Sequence, residues 1–247
     1  MSRGSIDLQA HPNRNARAVF GWTMYDWANS VYSLTITTAV FPLYFHAMAR
    51  QVAVNKTEIA AAEIAGTRVP EAIVSFAGFE MKSIGMLSMA IAIAYIIISL
   101  VSPILGSIAD YSGKKKRFMM FFCAMGSLAC SSMYFFDNDH FYLGFWLFVI
   151  AAIGYAGGNI FNDAFLPEIV EEDQYDKVSA RGYSMGYIGS VILLLFNLAM
   201  VMKPDLFFST EGQTEGDLKM LASKISFLSV GIWWLGFAMV TFNPDAI

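Results

Sequence analysis

The chain has 247 residues and a net charge of −4, with 56% hydrophobic and 15% charged residues. A soluble domain carries about a quarter charged residues, so the deficit points to a surface covered largely by lipid. The acidic balance speaks against nucleic acid as a partner. The two cysteines, Cys123 and Cys130, sit inside one apolar run and read as small buried hydrophobes, not as a disulfide framework or metal site.

Residues 1–17 form a polar tail with Arg3, Arg14 and Arg17 and no apolar core of the signal-peptide kind, so the first helix is expected to stay in the membrane. A spanning helix needs roughly 20 mostly apolar residues. Five runs meet this without an internal charge, at 84–105, 118–136, 141–161, 183–202 and 225–242. A sixth, 18–48, precedes them and contains one charge, Asp26. Together with the tail, this divides the chain into residues 1–17 and a six-helix membrane domain over 18–247. A membrane barrel would alternate apolar and polar residues, and buried soluble helices of this number would leave almost no polar face for water. The expectation is an all-α membrane protein with six transmembrane helices.

Between these runs lie loops. Residues 49–82 form a long one, with a short helix through AAAEIAG and a weak glycosylation pattern at Asn55-Lys56-Thr57. Residues 164–181 form an acid-rich loop, and residues 203–219 form another, with Lys203-Pro204 as its breaker. Basic residues set direction. Nine lie on the side of the tail and of the Lys114–Arg117 loop, against seven on the other, and the short KKKR turn carries most of the bias. Both termini are therefore expected in the cytoplasm.

Candidate chemistry follows from polar residues inside the spans. Asp26, Ser30, Ser33 and Thr37 are spaced i, i+4, i+7, i+11, which places them on one face of an α-helix. An ionisable group inside a span is costly unless it faces protein or a water cavity. This stripe either lines a solute pathway, with Asp26 carrying coupling or solute charge, or leaves Asp26 as an interfacial group paired with Arg17 or Arg181. Tyr155, Asn159 and Asn162 share a face of the fourth span, followed by Asp163. The fifth span adds Arg181, Ser184, Tyr187, Ser190 and the deep Asn197, which should bond another helix or face a cavity. An Arg181–Asp163 or Arg181–Glu168 ion pair would join the fourth and fifth spans at the inner mouth. The glycines of these two spans read as packing positions, and Trp233 and Trp234 as facing lipid or a neighbouring helix.

The end of the second span reads Gly-Ser-Ile-Ala-Asp-Tyr-Ser-Gly-Lys-Lys-Lys-Arg from Gly106. It resembles the signature loop of the major facilitator superfamily, with Gly106, Asp110, Gly113, Lys114 and Lys115 matching and Tyr111 departing. Physically, Gly106 admits a close neighbour, Asp110 lies at the membrane edge, Gly113 supports a tight turn, and the bases face the cytoplasm and anionic headgroups. The segments YDWANS, AFLPEI and GYIG further resemble the autophagy-related vacuole effluxer branch of that superfamily, over essentially the whole chain.

This resemblance implies half of a major facilitator fold, a 3+3 inverted repeat, with the solute site near the bilayer midplane between two six-helix halves. The chain is then a fragment, or a half that pairs with a second one. The implied function is secondary-active transport of a small solute by alternating access, with amino-acid efflux as a substrate class and no cofactor. The alternative is a non-transporting subunit or half-module. An enzyme is disfavoured, because His11, His46 and His140 have no ligand spacing and no nucleophile-base constellation occurs. A phosphate-binding loop is also lacking, so ATP is not used directly. The expected partners are the lipid bilayer, the solute and a second half. The membrane is a bacterial inner membrane, or a vacuolar one in a eukaryote.

Overall fold

A computed structural model describes residues 12–244 and 246, with the backbone alone for residues 12–15, 109, 110 and 112. Most of the tail expected over residues 1–17 therefore lies outside the described residues, as does the Asp110 side chain.

The first helix, α1 (Pro12–Val31), continues without a break into a π-helical stretch (Tyr32–Val40) and then α2 (Phe41–Val52). The local sequence favours this wider winding. Thr35, Ile36, Thr37 and Thr38 are β-branched and crowd an α-turn. Pro42 follows, with no N–H to give to the turn before it. Thr38 Oγ1 donates to the Ser33 carbonyl, five residues back, at 2.9 Å.

Next, α3 (Lys56–Ala65) fulfils the expected short helix and ends on Gly66 in the left-handed region at φ 63°. A two-stranded antiparallel hairpin follows, β1 (Ile73–Phe76) and β2 (Phe79–Lys82), with Ile73 opposite Lys82 and Phe76 opposite Phe79. This hairpin lies within the loop expected over residues 49–82, and the segments long and apolar enough to cross a membrane are all helical. Its turn uses Ala77 at φ 50° and Gly78 at φ 85°, the positive-φ pair that matches strand twist. Asn55 staples the hairpin to the start of α3, donating to the Glu71 carbonyl at 3.1 Å and accepting from Ile73 N at 3.0 Å. Phe76 packs on Phe145 at 4.9 Å.

The remaining helices are α4 (Ser83–Ser112), α5 (Lys115–Ser132), α6 (Phe141–Asp163), α7 (Leu166–Ile169), α8 (Tyr175–Met202) and α9 (Glu215–Phe242). Five segments are long and apolar enough to cross a membrane: Ser83–Ile108, Lys115–Phe135, Phe141–Ile169, Glu172–Met202 and Glu215–Phe242. The shortest has 21 residues, about 31 Å at the α-helical rise. The last helix outruns its apolar run because a polar cap starts it early. Thr214 and Asp217 form a reciprocal capping box that begins α9 well before the apolar run at residue 225.

Packing brings α1 against α8 and α9, α6 against α4 and α5, and α5 against α9. Lipid tails are as apolar as leucine, so helix association relies on close backbone approach. A Cβ at Gly154 would lie 2.5 Å from the Gly126 Cα and 2.8 Å from the Phe122 carbonyl oxygen, so α5 and α6 touch through two glycines. The Trp234 ring of α9 closes over Gly126 and is fully buried. Trp233 stacks on Trp27 at 5.6 Å and donates to its carbonyl at 3.2 Å. Both tryptophans thus face neighbouring helices. Gly106, by contrast, has nothing within 4 Å of its Cβ position, so no helix among the described residues approaches it as the signature loop suggested. Gly113 does hold a tight turn, at φ 64°.

Gly154→Ala should therefore lower stability by about 1–3 kcal/mol, since both obstructing groups are backbone and cannot rotate away. Gly106→Ala should leave stability unchanged or raise it. Thermal unfolding of the two variants in detergent checks the contrast.

Candidate functional site

A cavity of about 300 Å³ opens between α1, α6 and α8. From α1 it takes Asp26, Asn29 and Ser30, from the first residues of the π-helical stretch Ser33, and from α6 Tyr155, Asn159 and Asp163. Tyr183, Tyr187 and Ser190 come from α8. The face that α1 presents is locked by bonds to α6. Trp22 Nε1 donates to the Asn162 carbonyl at 2.7 Å, Asn162 Nδ2 donates to Asp26 Oδ1 at 3.4 Å, and Asn29 Nδ2 donates to Asn159 Oδ1. From the other side, α8 approaches through glycines. A Cβ at Gly182 would strike Asp26 Oδ2, one at Gly186 would lie 3.1 Å from the Asp26 carbonyl oxygen, and one at Gly189 would lie 2.9 Å from the Trp27 ring.

Five expected pathway residues converge here: Asp26, Ser30, Ser33, Tyr155 and Asn159. Three others lie off the cavity lining. Thr37 falls in the π-helical stretch, whose turns hold more residues than the 3.6 of an α-helix, so it rotates off the face that α-helical spacing assigns it. Asn162 is fully buried behind Asp26 and orients it. Asn197 is also fully buried and accepts from Ser229 Oγ of α9 at 3.0 Å, which makes it a helix-to-helix contact. Asn29, Trp22, Ser179 and Tyr183 were not singled out by the sequence reading. Asn29 could have been found, since it lies three residues from Asp26 on the same helical face.

The charges at the Lys114–Arg117 end pair differently from the sequence expectation. Glu168 binds Lys115, not Arg181, with Nζ to Oε1 at 2.8 Å, and the Lys115 side chain is 16% exposed. Lys115 Nζ also donates to the Ala164 carbonyl at 3.4 Å, and Lys116 Nζ to the Asn243 carbonyl at 2.7 Å. Two of the four bases thus tie α5 to the ends of α6 and α9 instead of facing headgroups alone. Among the described residues Arg181 makes no ion pair, and Asp26 pairs with neither Arg17 nor Arg181. Arg181 instead lines a separate cavity of about 650 Å³ beside the start of α1, with Glu171, Asp173 and Lys177.

Apolar helices bonded through buried amides around one polar cavity match the resemblance drawn from the sequence. A family model described as "Vacuole effluxer Atg22 like" matches residues 14–244. The chain belongs to this family. Among relatives of this Atg22-like chain, an uncharacterized MFS-type transporter, YxiO of Bacillus subtilis, is 34% identical over 213 residues, 86% of this chain and 43% of that protein. Autophagy-related protein 22 of Eremothecium gossypii is 24% identical over 248 residues, 92% of this chain and 45% of its own length. The same-named protein of Coccidioides immitis is 25% identical over 189 residues, 67% of this chain and 31% of its own length. The chain spans less than half the length of these relatives. No solved structure matches it. With five helices long and apolar enough to cross a bilayer, the Atg22-like chain is an integral membrane protein.

The Lys115–Glu168 pair should be measurable by a double-mutant cycle. Lys115→Met, Glu168→Gln and the double variant, compared by thermal unfolding in detergent, should give a coupling of about 0.5–1 kcal/mol, the size of a partly exposed pair.

Proposed function

We propose that this Atg22-like chain forms one six-helix half of a secondary-active carrier that moves a small solute by alternating access. The carrying observation is the cavity between α1, α6 and α8, where carboxylates, amides and hydroxyls gather inside otherwise apolar helices. Polar groups at membrane depth are expensive and mark solute or ion routes. In this reading α1, the π-helical stretch and α2 together make the sixth crossing, since they run unbroken from Pro12 to Val52.

The helix pairing supports a 3+3 repeat. Exchanging the first three crossings for the last three maps the contacts of α1 with α8 and α9 onto those of α6 with α4 and α5, and maps the α5–α9 contact onto itself. The Lys114–Arg117 end faces the cytoplasm together with both termini, following the basic bias of the short loops. The membrane is a bacterial inner membrane, or a vacuolar one in a eukaryote. The names of the relatives, an MFS-type transporter and a vacuole effluxer family, favour transport over catalysis; amino-acid efflux is proposed as the substrate class from the resemblance alone. A second six-helix half, from the same reading frame or another chain, completes the site. The alternative is a non-transporting membrane subunit or half-module that needs a second six-helix half.

The test is uptake of labelled amino acids into proteoliposomes holding the protein expressed from its complete reading frame, with and without a pH gradient. Asp26→Asn should slow uptake about tenfold or more, a loss of about 1.4 kcal/mol or more in barrier terms, and flatten its pH dependence. Unchanged rate and pH profile in Asp26→Asn would reject the coupling role. Uptake by the six-helix chain alone would reject the need for a second half.

A further inference from the structure

The proposed carrier reading leaves open what chemistry the cavity recognises, and its lining is lopsided in charge. Asp26 and Asp163 both line it, and among the described residues no lysine, arginine or histidine does. Neither carboxylate takes part in an ion pair among the described residues. A carboxylate away from bulk water is compensated by a proton or by a nearby positive charge, so the two acids favour a cationic occupant over an anionic one. The rest of the lining fits such an occupant. Trp22, Tyr155, Tyr183 and Tyr187 supply aromatic faces that attract cations. Asn29, Ser30, Ser33, Asn159, Ser179 and Ser190 supply oxygen acceptors. Behind Asp26, the fully buried Asn162 spends its amide N–H on the carboxylate and has an Oδ1 with no hydrogen-bond partner among the described residues.

The positive charge belongs to an organic group and not to a metal ion. Among the described residues no group of three or more histidine, cysteine, aspartate or glutamate side chains is placed to hold a metal. Aromatic walls suit a hydrocarbon-bearing cation, whereas a hard metal ion prefers oxygen ligands on all sides. The volume, about 300 Å³, lies at the small end of ligand sites.

We propose that this cavity is an ammonium subsite: it binds the protonated amino group of a small organic solute between Asp26 and Asp163, and its lining offers a carboxylate no basic side chain. The inference rests on the carrier reading above and sharpens it. For an amino-acid solute, this half would hold the ammonium end and leave the carboxylate to groups outside the cavity.

Three probes of matched shape separate the ends of such a solute: valine, isobutylamine, which lacks the carboxylate, and isovalerate, which lacks the amine. Calorimetric titration of the detergent-solubilised protein, expressed from its complete reading frame, should show binding of valine and isobutylamine and none of isovalerate. Asp26→Asn and Asp163→Asn should each weaken isobutylamine about tenfold or more. The wild-type comparison of amine with acid stands even where a variant folds poorly. Isovalerate binding as tightly as isobutylamine, or no binding by any of the three probes, would overturn the ammonium subsite. So would amine binding that persists at full strength in both variants. The carrier reading fails separately, by absence of amino-acid uptake in the proteoliposomes, so the two failures are distinguishable.

Discussion

Inside a bilayer no water is present to satisfy a polar group, and that one constraint orders this protein. Backbone polar groups are met within helices. Side-chain polar groups gain most by meeting across helix interfaces, and three buried asparagines each find one partner there. Asn29 meets Asn159, Asn162 meets Asp26, and Asn197 meets Ser229. These bonds join α1 to α6 and α8 to α9, so the elements that surround the cavity are registered against each other by their polar residues. The apolar residues fill the remaining interface without fixing which face meets which.

Glycine does the complementary work. Gly182, Gly186 and Gly189 let α8 lie so close to α1 that the Asp26 carboxylate and the Trp22 and Trp27 rings occupy the space their side chains would take. The Gly126–Gly154 contact does the same for α5 and α6. The cavity survives because polar α1 and α6 positions lie between two such close seams and are not closed over by large apolar side chains.

Much of this was legible in the sequence. Runs of apolar residues gave the five long helices, since a membrane demands length and hydrophobicity, which composition reports directly. The polar stripe of α1 pointed to Asp26, Ser30 and Ser33, which line the cavity. The stripe failed at Thr37 because helical spacing presumes one winding, and the threonine-rich segment ahead of Pro42 adopts another. The hairpin at Ile73–Lys82 escaped notice because its turn is Ala-Gly and not Asn-Gly, and each strand is only four residues long. The choice of Lys115 as the partner of Glu168 was also beyond the sequence. It depends on how α5 and α7 meet in space, which no spacing along the chain encodes.

The π-helical stretch has a mechanical consequence. It spans nine residues in the middle of the longest helical segment, between the cavity-lining part of α1 and α2, which packs under the hairpin. A wide turn of this kind carries slack: tightening any part of it to ordinary α winding would twist the two flanking rods about their common axis and lengthen the segment, with every backbone bond still made. Such rewinding would turn the two ends of the Pro12–Val52 segment relative to one another while the rod between them stays whole.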